Sequence, residues 1–305
     1  MTVVAVVGPT AAGKSALSLA LAEELGGEVV NADSMQLYQG LDIGTAKLTV
    51  PERRGIPHHV LDIWPVTAPA SVAEYQRLAR SAISDILARG RVPLLVGGSG
   101  LYVRAVLEEF DFPGTDAALR ASLEAELSSV GAGALHERLR AADPVAASRI
   151  LPTNGRRIVR ALEVITLTGQ PFAAALPSEP VPFYPSVQIG VDVAPPVLDE
   201  RIATRVAAMW SAGLVEETRG LVSAGLREGR TASRALGYQQ VLAFLAGECG
   251  EQEAHDETIR ATRRFVRRQR TWFRRDSRIT WLDGADPTLV SLALDAVHAE
   301  RAGTR

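Results

Sequence analysis

The first 25 residues constrain this chain more than any other stretch. A short apolar run, Val3–Val7, leads into Gly8-Pro9-Thr10-Ala11-Ala12-Gly13-Lys14-Ser15, and an apolar-periodic stretch follows. A strand, a glycine-rich loop and a helix in this order are the context in which Gly-x-x-x-x-Gly-Lys-Ser binds phosphate. Gly8 and Gly13 permit backbone angles that turn successive N–H groups toward an anion, and the helix N-terminus adds its positive end. The pattern predicts a bound di- or triphosphate, with Lys14 on its oxygens and the Ser15 hydroxyl on Mg²⁺.

Composition narrows the class of protein. The chain has 305 residues, which is enough for one large domain or two smaller ones, and it is 47% hydrophobic and 22% charged, as soluble globular proteins are. Its net charge of −2 means that any nucleic-acid contact must come from local basic clusters. Cys249 is the only cysteine, which excludes an internal disulfide or a thiolate zinc cluster. No apolar run approaches the roughly 20 residues of a membrane span, and the N-terminus reads as a core strand and not a signal peptide, so we expect a cytoplasmic protein.

A carboxylate ends the second predicted strand. Residues 28–33 read as a strand that finishes on Asp33, and ligands of open parallel sheets sit at the carboxyl ends of the strands. We expect Asp33 beside the phosphate loop, provided that the second strand neighbours the first. The other interpretation of Asp33 is a turn or helix-capping residue.

The next fully apolar strand, residues 92–96, lacks an acid at its end. It runs into Gly97-Gly98-Ser99-Gly100, where an ordinary phosphate-loop hydrolase carries a carboxylate that helps to hold the metal. This difference argues against nucleotide hydrolysis.

Helical periodicity replaces strand–helix alternation from about Asp116 to Pro185, and a strand candidate returns at residues 187–193. The sequence therefore predicts an α/β fold, a P-loop NTPase-like parallel sheet core with an all-helical insertion domain. The core comprises residues 1–115 and 186–305, and the insertion comprises residues 116–185. Arg156 and Arg160 of the insertion share a helix face with Arg157 nearby, a pattern that alone would indicate only a solvated surface.

Residues 259–276 form an arginine-rich helix. Eight arginines and a single acid surround an apolar stripe of Ile259, Val266 and Phe273. This density favours contact with phosphates or nucleic acid over a solvated or ion-paired face.

Three classes of function remain. A small-molecule kinase explains the loop and Asp33 but not the arginine clusters, and a nucleic-acid-dependent ATPase should carry the missing acid. Transfer of a group from a diphosphate to a nucleic-acid base accounts for all three features.

Seven motifs, in order along nearly the whole chain, resemble the tRNA dimethylallyltransferase (isopentenyltransferase) family. They occupy residues 8–15, 31–38, 41–47, 57–62, 93–102, 157–163 and 270–274. A shorter adenylate isopentenyltransferase shares the phosphate loop, but the insertion and the basic helix favour the tRNA form.

The resemblance implies transfer of the dimethylallyl group from dimethylallyl diphosphate to N6 of the adenine just 3′ of the tRNA anticodon (position 37), with release of diphosphate. Asp33 would accept a proton from N6 as general base. The loop backbone, Lys14, Mg²⁺ near Ser15, Arg234 and Thr10 would stabilise the leaving diphosphate.

The resemblance also implies a set of contacts with the tRNA anticodon stem-loop, whose target base must be unstacked. A monomer suffices for them. The implied tRNA contacts are Asp33, Ser34, Met35, Gln36, Ser99, Arg120, Arg156, Arg157, Ile158, Val159, Arg160, Arg234, Gly237, Tyr238 and Gln239.

Overall fold

The computed structural model describes residues 2–109, 112–172 and 181–303. Its contacts divide the chain into one unit of Met1–Leu107 with Pro182–Arg305 and a second unit of Glu108–Val181. The N–H of Glu109 donates to the carbonyl of Val181 at 2.8 Å, which ties the two ends of the second unit together. The second unit thus begins at Glu108 and ends at Val181, whereas the predicted insertion begins at 116 and ends at 185.

The first unit contains a parallel sheet and its covering helices. Its strands are β1 (Val3–Val7), β2 (Gly27–Asn31), β3 (His58–His59), β4 (Val92–Gly97), β5 (Ser186–Asp192) and β6 (Ile279–Asp283). Its helices are α1 (Lys14–Leu25), α2 (Val72–Ala88), α3 (Gly100–Leu107), α7 (Pro195–Ser211), α8 (Leu214–Ser223), α9 (Tyr238–Leu245), α10 (Glu251–Phe273) and α11 (Leu289–Gly303). The second unit contributes α4 (Ala117–Ala142), α5 (Pro144–Arg149) and α6 (Gly155–Thr168).

The strand order is β3-β2-β4-β1-β5-β6, and every pairing is parallel. Alternate residues of β1 enter different cores: Val3 and Val7 pack with residues of α2, α3 and α9, whereas Val4 packs with α1 and α11. Helices therefore cover both faces of the sheet, which confirms the predicted α/β fold and explains the continuous apolar runs of its central strands.

The expected adjacency of the first two strands was wrong. In the sheet β4 separates β2 from β1, with Val96 of β4 opposite both Val6 and Asn31. The end of β2 nevertheless lies across the end of β4, where the Ala32 N–H donates to the Val96 carbonyl at 2.7 Å. A Cβ at Gly97 would stand 2.2 Å from the carbonyl carbon and oxygen of Ala32, so only glycine allows this crossing.

The second unit is built on helix signals that are visible in the sequence. The Asp116 side chain accepts from the Leu119 N–H at the start of α4, and Asn154 caps α6 in the same way. Gly131, at φ 81°, leaves the helical region and kinks α4. Leu123, Leu139 and eight further buried residues fill its core. Within the described parts of the chain, no helix is both long and apolar enough to cross a membrane.

Candidate active site

The phosphate loop between β1 and α1 has the backbone of an anion site. Gly8 has φ 137°, and a Cβ there would lie 2.2 Å from the Val191 carbonyl oxygen, so its glycine is required twice over. Gly13 has φ 112° and begins α1. No acceptor among the described residues pairs with the N–H groups of Gly13, Lys14 or Ser15. These donors, at the positive end of α1, are available to an anion.

Lys14 carries the charge of this loop. Its ammonium donates to the Pro9 carbonyl at 2.8 Å. Burial lowers the pKa of Lys14 to about 8, although the nearby Asp33 carboxylate opposes the change and Arg205 adds to it. A partly desolvated ammonium gains more from a bound anion than a solvated one does.

A cavity of about 480 Å³ opens over the loop. Gly13, Lys14, Ser15 and Arg205 give it a polar, cationic wall. The remaining lining is Ala11, Ala16, Leu19, Leu48, Pro51, Glu52 and Arg54.

Asp33 is half-buried just beyond β2, and its backbone is held firmly. The buried Asn31 side chain accepts from the Asp33 N–H at 2.9 Å and donates to its carbonyl at 3.0 Å. One carboxylate oxygen of Asp33 accepts from the Met35 N–H at 2.9 Å, so the turn interpretation is correct as far as Oδ1 is concerned. The other oxygen has no hydrogen bond within the described residues, which leaves it available to a substrate.

Arg205 of α7 is a site residue that the sequence analysis missed. It lines the cavity, and burial lowers its pKa while the Asp33 carboxylate opposes that shift. Lys14, Asp33 and Arg205 therefore lie within electrostatic reach of one another. Arg201, one turn earlier, donates to the Ala11 and Ala12 carbonyls at 3.5 Å. The spacing of the two arginines was the available signal, but no motif links α7 to the loop.

Comparison with known proteins identifies the family of this chain. The family model described as IPP transferase matches residues 36–276. This chain belongs to the IPP transferase family. The tRNA dimethylallyltransferase of Salinispora arenicola is 76% identical over 298 residues, which cover 98% of this chain and 87% of that protein. The tRNA dimethylallyltransferase of Thermobifida fusca is 64% identical over 314 aligned residues, which cover 100% of this chain and 98% of that protein.

Solved structures of the family have the same fold. The tRNA isopentenylpyrophosphate transferase of Bacillus halodurans superposes with a TM-score of 0.72 at 42% identity, over 99% of this chain and 96% of that one. A eukaryotic dimethylallyltransferase acting on tRNA gives a TM-score of 0.86 at 25% identity, over 100% of this chain and 80% of that one. The family model begins after Asp33, so the phosphate loop and Asp33 enter the comparison through the full-length relatives.

The arginines predicted to contact tRNA in the second unit fall into two groups. Arg120 and Arg160 both bind the buried Glu163 carboxylate. Burial raises the pKa of Glu163, but the hydrogen bonds from these two arginines outweigh it and hold the pKa below its usual value. Arg156 and Arg157 are exposed and have no ion-pair partner in the described part of the chain.

Three predicted tRNA contacts cannot be made by side chains in this structure. Ile158 and Val159 are 0% and 3% exposed because they fill the core of the second unit. Tyr238 is fully buried, with its hydroxyl donating to Glu217 and accepting from the Gly44 N–H at 3.1 Å. The resemblance named these residues as members of motifs, and a motif does not distinguish side chains that face the core from those that face solvent.

The other predicted residues of these loops are placed as follows. Arg234 is exposed at the end of a short 3-10 turn, Ala232–Arg234, and does not line the cavity over the phosphate loop. Gly237 is buried and Gln239 is exposed. Ser99 accepts from the Ser34 N–H at 3.1 Å, and the Gln36 side chain donates to the Thr45 carbonyl. Ser99 therefore supports the segment that carries Asp33.

Most arginines of α10, and Arg274 just after it, form ion pairs with carboxylates. Arg270 and Arg274 share the Asp192 carboxylate at 2.9 Å each. Arg260, Arg263 and Arg264 pair with acids of α10 or α7. For these five, the ion-paired interpretation is correct, whereas Arg267, Arg268 and Arg275 have no carboxylate partner among the described residues.

A buried lysine organises the loop that follows Asp33. Lys47 is 9% exposed, and its ammonium lies 2.6 Å from an Asp42 oxygen and 2.5 Å from an Asp62 oxygen. It also donates to the Tyr38 carbonyl. Through these ion pairs, the motif of residues 41–47 is joined to the loop that carries Asp62.

Proposed function

We propose that this chain transfers the dimethylallyl group from dimethylallyl diphosphate to N6 of the adenine just 3′ of the tRNA anticodon, releasing diphosphate. The observation that carries the proposal is the grouping of Lys14 and Arg205 at the phosphate loop with the Asp33 carboxylate. A cationic site for a leaving group then lies beside a base. Membership of the IPP transferase family supports the same chemistry.

The donor half of the reaction needs charge stabilisation. As the allylic C–O bond breaks, negative charge accumulates on the departing diphosphate. Fixed donors aimed at that charge lower the barrier more than mobile water does. Such donors are the Lys14 ammonium, the Arg205 guanidinium and the N–H groups of residues 13–15, which no described residue accepts from. Arg205 takes the role that the sequence analysis assigned to Arg234.

The acceptor half needs a base. The lone pair of adenine N6 is delocalised into the ring, and a new C–N bond at N6 requires loss of one N6 proton. Asp33 would accept it through Oδ2, which no group in the described part of the chain hydrogen-bonds, while Oδ1 stays fixed by the Met35 N–H. Fixing one oxygen limits the positions of the other, which favours a defined line of proton transfer.

The residues at the loop fit a magnesium ion that is shared with the diphosphate. No cluster of three acidic, histidine or cysteine side chains suited to a metal occurs in the described ranges. Mg²⁺ commonly takes few protein ligands together with substrate phosphate oxygens and water. The Ser15 hydroxyl, which lines the cavity, would hold it, and the bound ion would neutralise charge on the leaving group.

The acceptor would be the anticodon stem-loop of a tRNA bound to one monomer. Arg156 and Arg157 provide exposed charge for the phosphate backbone, because no acid among the residues that the structure describes pairs with them. A looped-out adenine is less costly to unstack than a paired one, which suits a site that must enclose N6. We place the reaction in the cytoplasm, where such tRNAs are found.

The test is incorporation of label from dimethylallyl diphosphate into unmodified tRNA in the presence of Mg²⁺. We expect label at N6 of one anticodon-loop adenine. Asp33→Asn should lower kcat by roughly 10²-fold or more while both KM values stay nearly constant. Asp286→Asn, at a partly exposed residue whose carboxylate accepts from the Thr288 N–H before α11, is the matched control. Phosphate transfer from ATP to a small molecule without prenyl transfer would show a kinase instead, and label in free adenine nucleotides would show an adenylate isopentenyltransferase.

A further inference from the structure

A buried amide joins the phosphate loop to the rest of the site. Gln269 of α10 is 5% exposed, although arginines precede and follow it in the sequence. Its Oε1 accepts from the Thr10 N–H at 3.0 Å, and its Nε2 donates to the Gly98 carbonyl at 2.9 Å. The two partners fix which end of the amide is oxygen, since Thr10 offers only a donor and Gly98 only an acceptor.

The fit around this amide is tight. A Cβ at Gly98 would lie 2.3 Å from Nε2 of Gln269 and 3.2 Å from the Gly8 carbonyl oxygen. Glycine at this position therefore lets the turn after β4 lie directly against both the amide and the phosphate loop. A carboxylate in place of the amide would set an oxygen against the Gly98 carbonyl.

The contacts continue from Gly98 to the candidate base. The next residue, Ser99, donates its N–H to the Ala32 carbonyl at 3.3 Å, and its hydroxyl accepts from the Ser34 N–H at 3.1 Å. Asp33 lies between these two points. A short chain of hydrogen bonds thus runs from Thr10 through Gln269 and Ser99 to the segment of Asp33.

We propose that Gln269 is a positioning residue for the diphosphate site: it holds the Thr10 N–H and so fixes the phosphate loop relative to the Asp33 segment. The inference rests on the proposed function, because it takes the ligand of the loop to be the donor's diphosphate. Gln269 touches no reacting atom. Its effect is to keep the remaining loop N–H groups aligned before the ligand arrives, which lowers the ordering cost of binding.

Two variants and one control test the role. Gln269→Met preserves length and burial but removes both hydrogen bonds. Gln269→Glu keeps the acceptor and, when protonated, also recreates the donor to Gly98. Gln252→Met changes the same residue type on the exposed first turn of α10, where the Gln252 amide donates to the Asp256 carboxylate at 3.0 Å. Thermal melting of each variant measures folding separately from binding.

The primary readout is the dissociation constant of inorganic diphosphate, measured by calorimetry with Mg²⁺. We expect Gln269→Met to raise it about tenfold, as for loss of a buried hydrogen-bonded pair, with tRNA affinity and the Gln252→Met control unchanged. A buried carboxyl that faces a carbonyl has a raised pKa. Gln269→Glu should therefore regain diphosphate affinity, relative to the wild type at each pH, as the pH is lowered from 8 to 6.

Three outcomes would overturn the inference. Diphosphate affinity within about twofold of wild type in Gln269→Met would show that the amide does not position the loop. A parallel fall of diphosphate and tRNA affinity that follows melting temperature would show a structural role only. Absence of recovery in Gln269→Glu at low pH would show that the donor–acceptor pattern is not what matters. Because inorganic diphosphate needs no prenyl transfer, failure of the proposed reaction would remain distinguishable.

Discussion

The lowered pKa of Lys14 predicts that donor affinity weakens above neutral pH. Burial brings this pKa to about 8, so the ammonium loses its proton in a range where ordinary lysines remain charged. The anionic diphosphate binds the charged form. As the pH rises through 8, a growing fraction of the free enzyme lacks that charge, and binding must take up a proton. The KM for dimethylallyl diphosphate should therefore rise with pH.

The magnitude follows from the titration. With a pKa of about 8, about nine-tenths of Lys14 is charged at pH 7 and about one-tenth at pH 9. If only the ammonium form binds, the apparent KM rises about tenfold between these values. Guanidinium groups in general keep their proton throughout this range, so the slope reports the Lys14 ammonium.

Steady-state transfer assays from pH 7 to pH 9 measure the effect. Lys14→Arg keeps a permanent charge, and its KM for the donor, although higher at pH 7, should stay flat. Titration of the diphosphate itself affects both proteins equally, so it cancels in the ratio of the wild-type donor KM to that of Lys14→Arg. The KM for tRNA reports general effects of pH. A donor KM that is flat in the wild type, or that rises equally in Lys14→Arg, would refute the role of this ammonium.

Three further predictions concern the surroundings of the site. Lys47→Met leaves the partly solvated carboxylates of Asp42 and Asp62 without their ammonium partner. It should lower the free energy of unfolding by about 1–3 kcal/mol in denaturant titrations. A loss below about 0.3 kcal/mol would contradict the role of Lys47 in joining the two loops. Arg205→Ala should raise the donor KM about tenfold and leave the tRNA KM unchanged, and an unchanged donor KM would remove Arg205 from the diphosphate site. Arg157→Ala should weaken tRNA binding in filter-binding assays and reduce the slope of log affinity against log salt concentration by about one. Arg138, an exposed arginine paired with Glu126, is the control, and Arg138→Ala should change neither quantity. Equal effects of the two substitutions would speak against a specific contact of Arg157 with tRNA.

Local patterns made much of the core predictable. The loop motif indicates the positive φ angles of Gly8 and Gly13, and the helix caps at Asp116 and Asn154 act within four residues. Asp33 could be assigned to the ligand edge of the sheet because every parallel strand ends there. Such inferences need no knowledge of strand order.

Residues that act across the chain could not be predicted in this way. Arg205 reaches the phosphate loop from a helix 190 residues later in the chain than Ser15, and the pairing of Arg120 with Glu163 spans 43 residues. A run of arginines has the same composition whether it is free or paired, and only the fold brings Asp192 to Arg270 and Arg274. Gln269 looks like one more polar residue of a basic helix, although it is almost completely buried.

The glycine at the end of β4 has a consequence for evolution and for enzyme engineering. Because a Cβ at Gly97 would collide with the backbone of Ala32 at 2.2 Å, this position cannot accept the acid of a nucleotide hydrolase by one substitution. Gly97→Asp would displace the strand end that carries Asp33, and the chain would lose its proposed base while acquiring a carboxylate suited to a metal. A route from this scaffold to an ATPase must therefore rebuild two strand ends together, and single-step selection for ATP hydrolysis should recover no variant at this position.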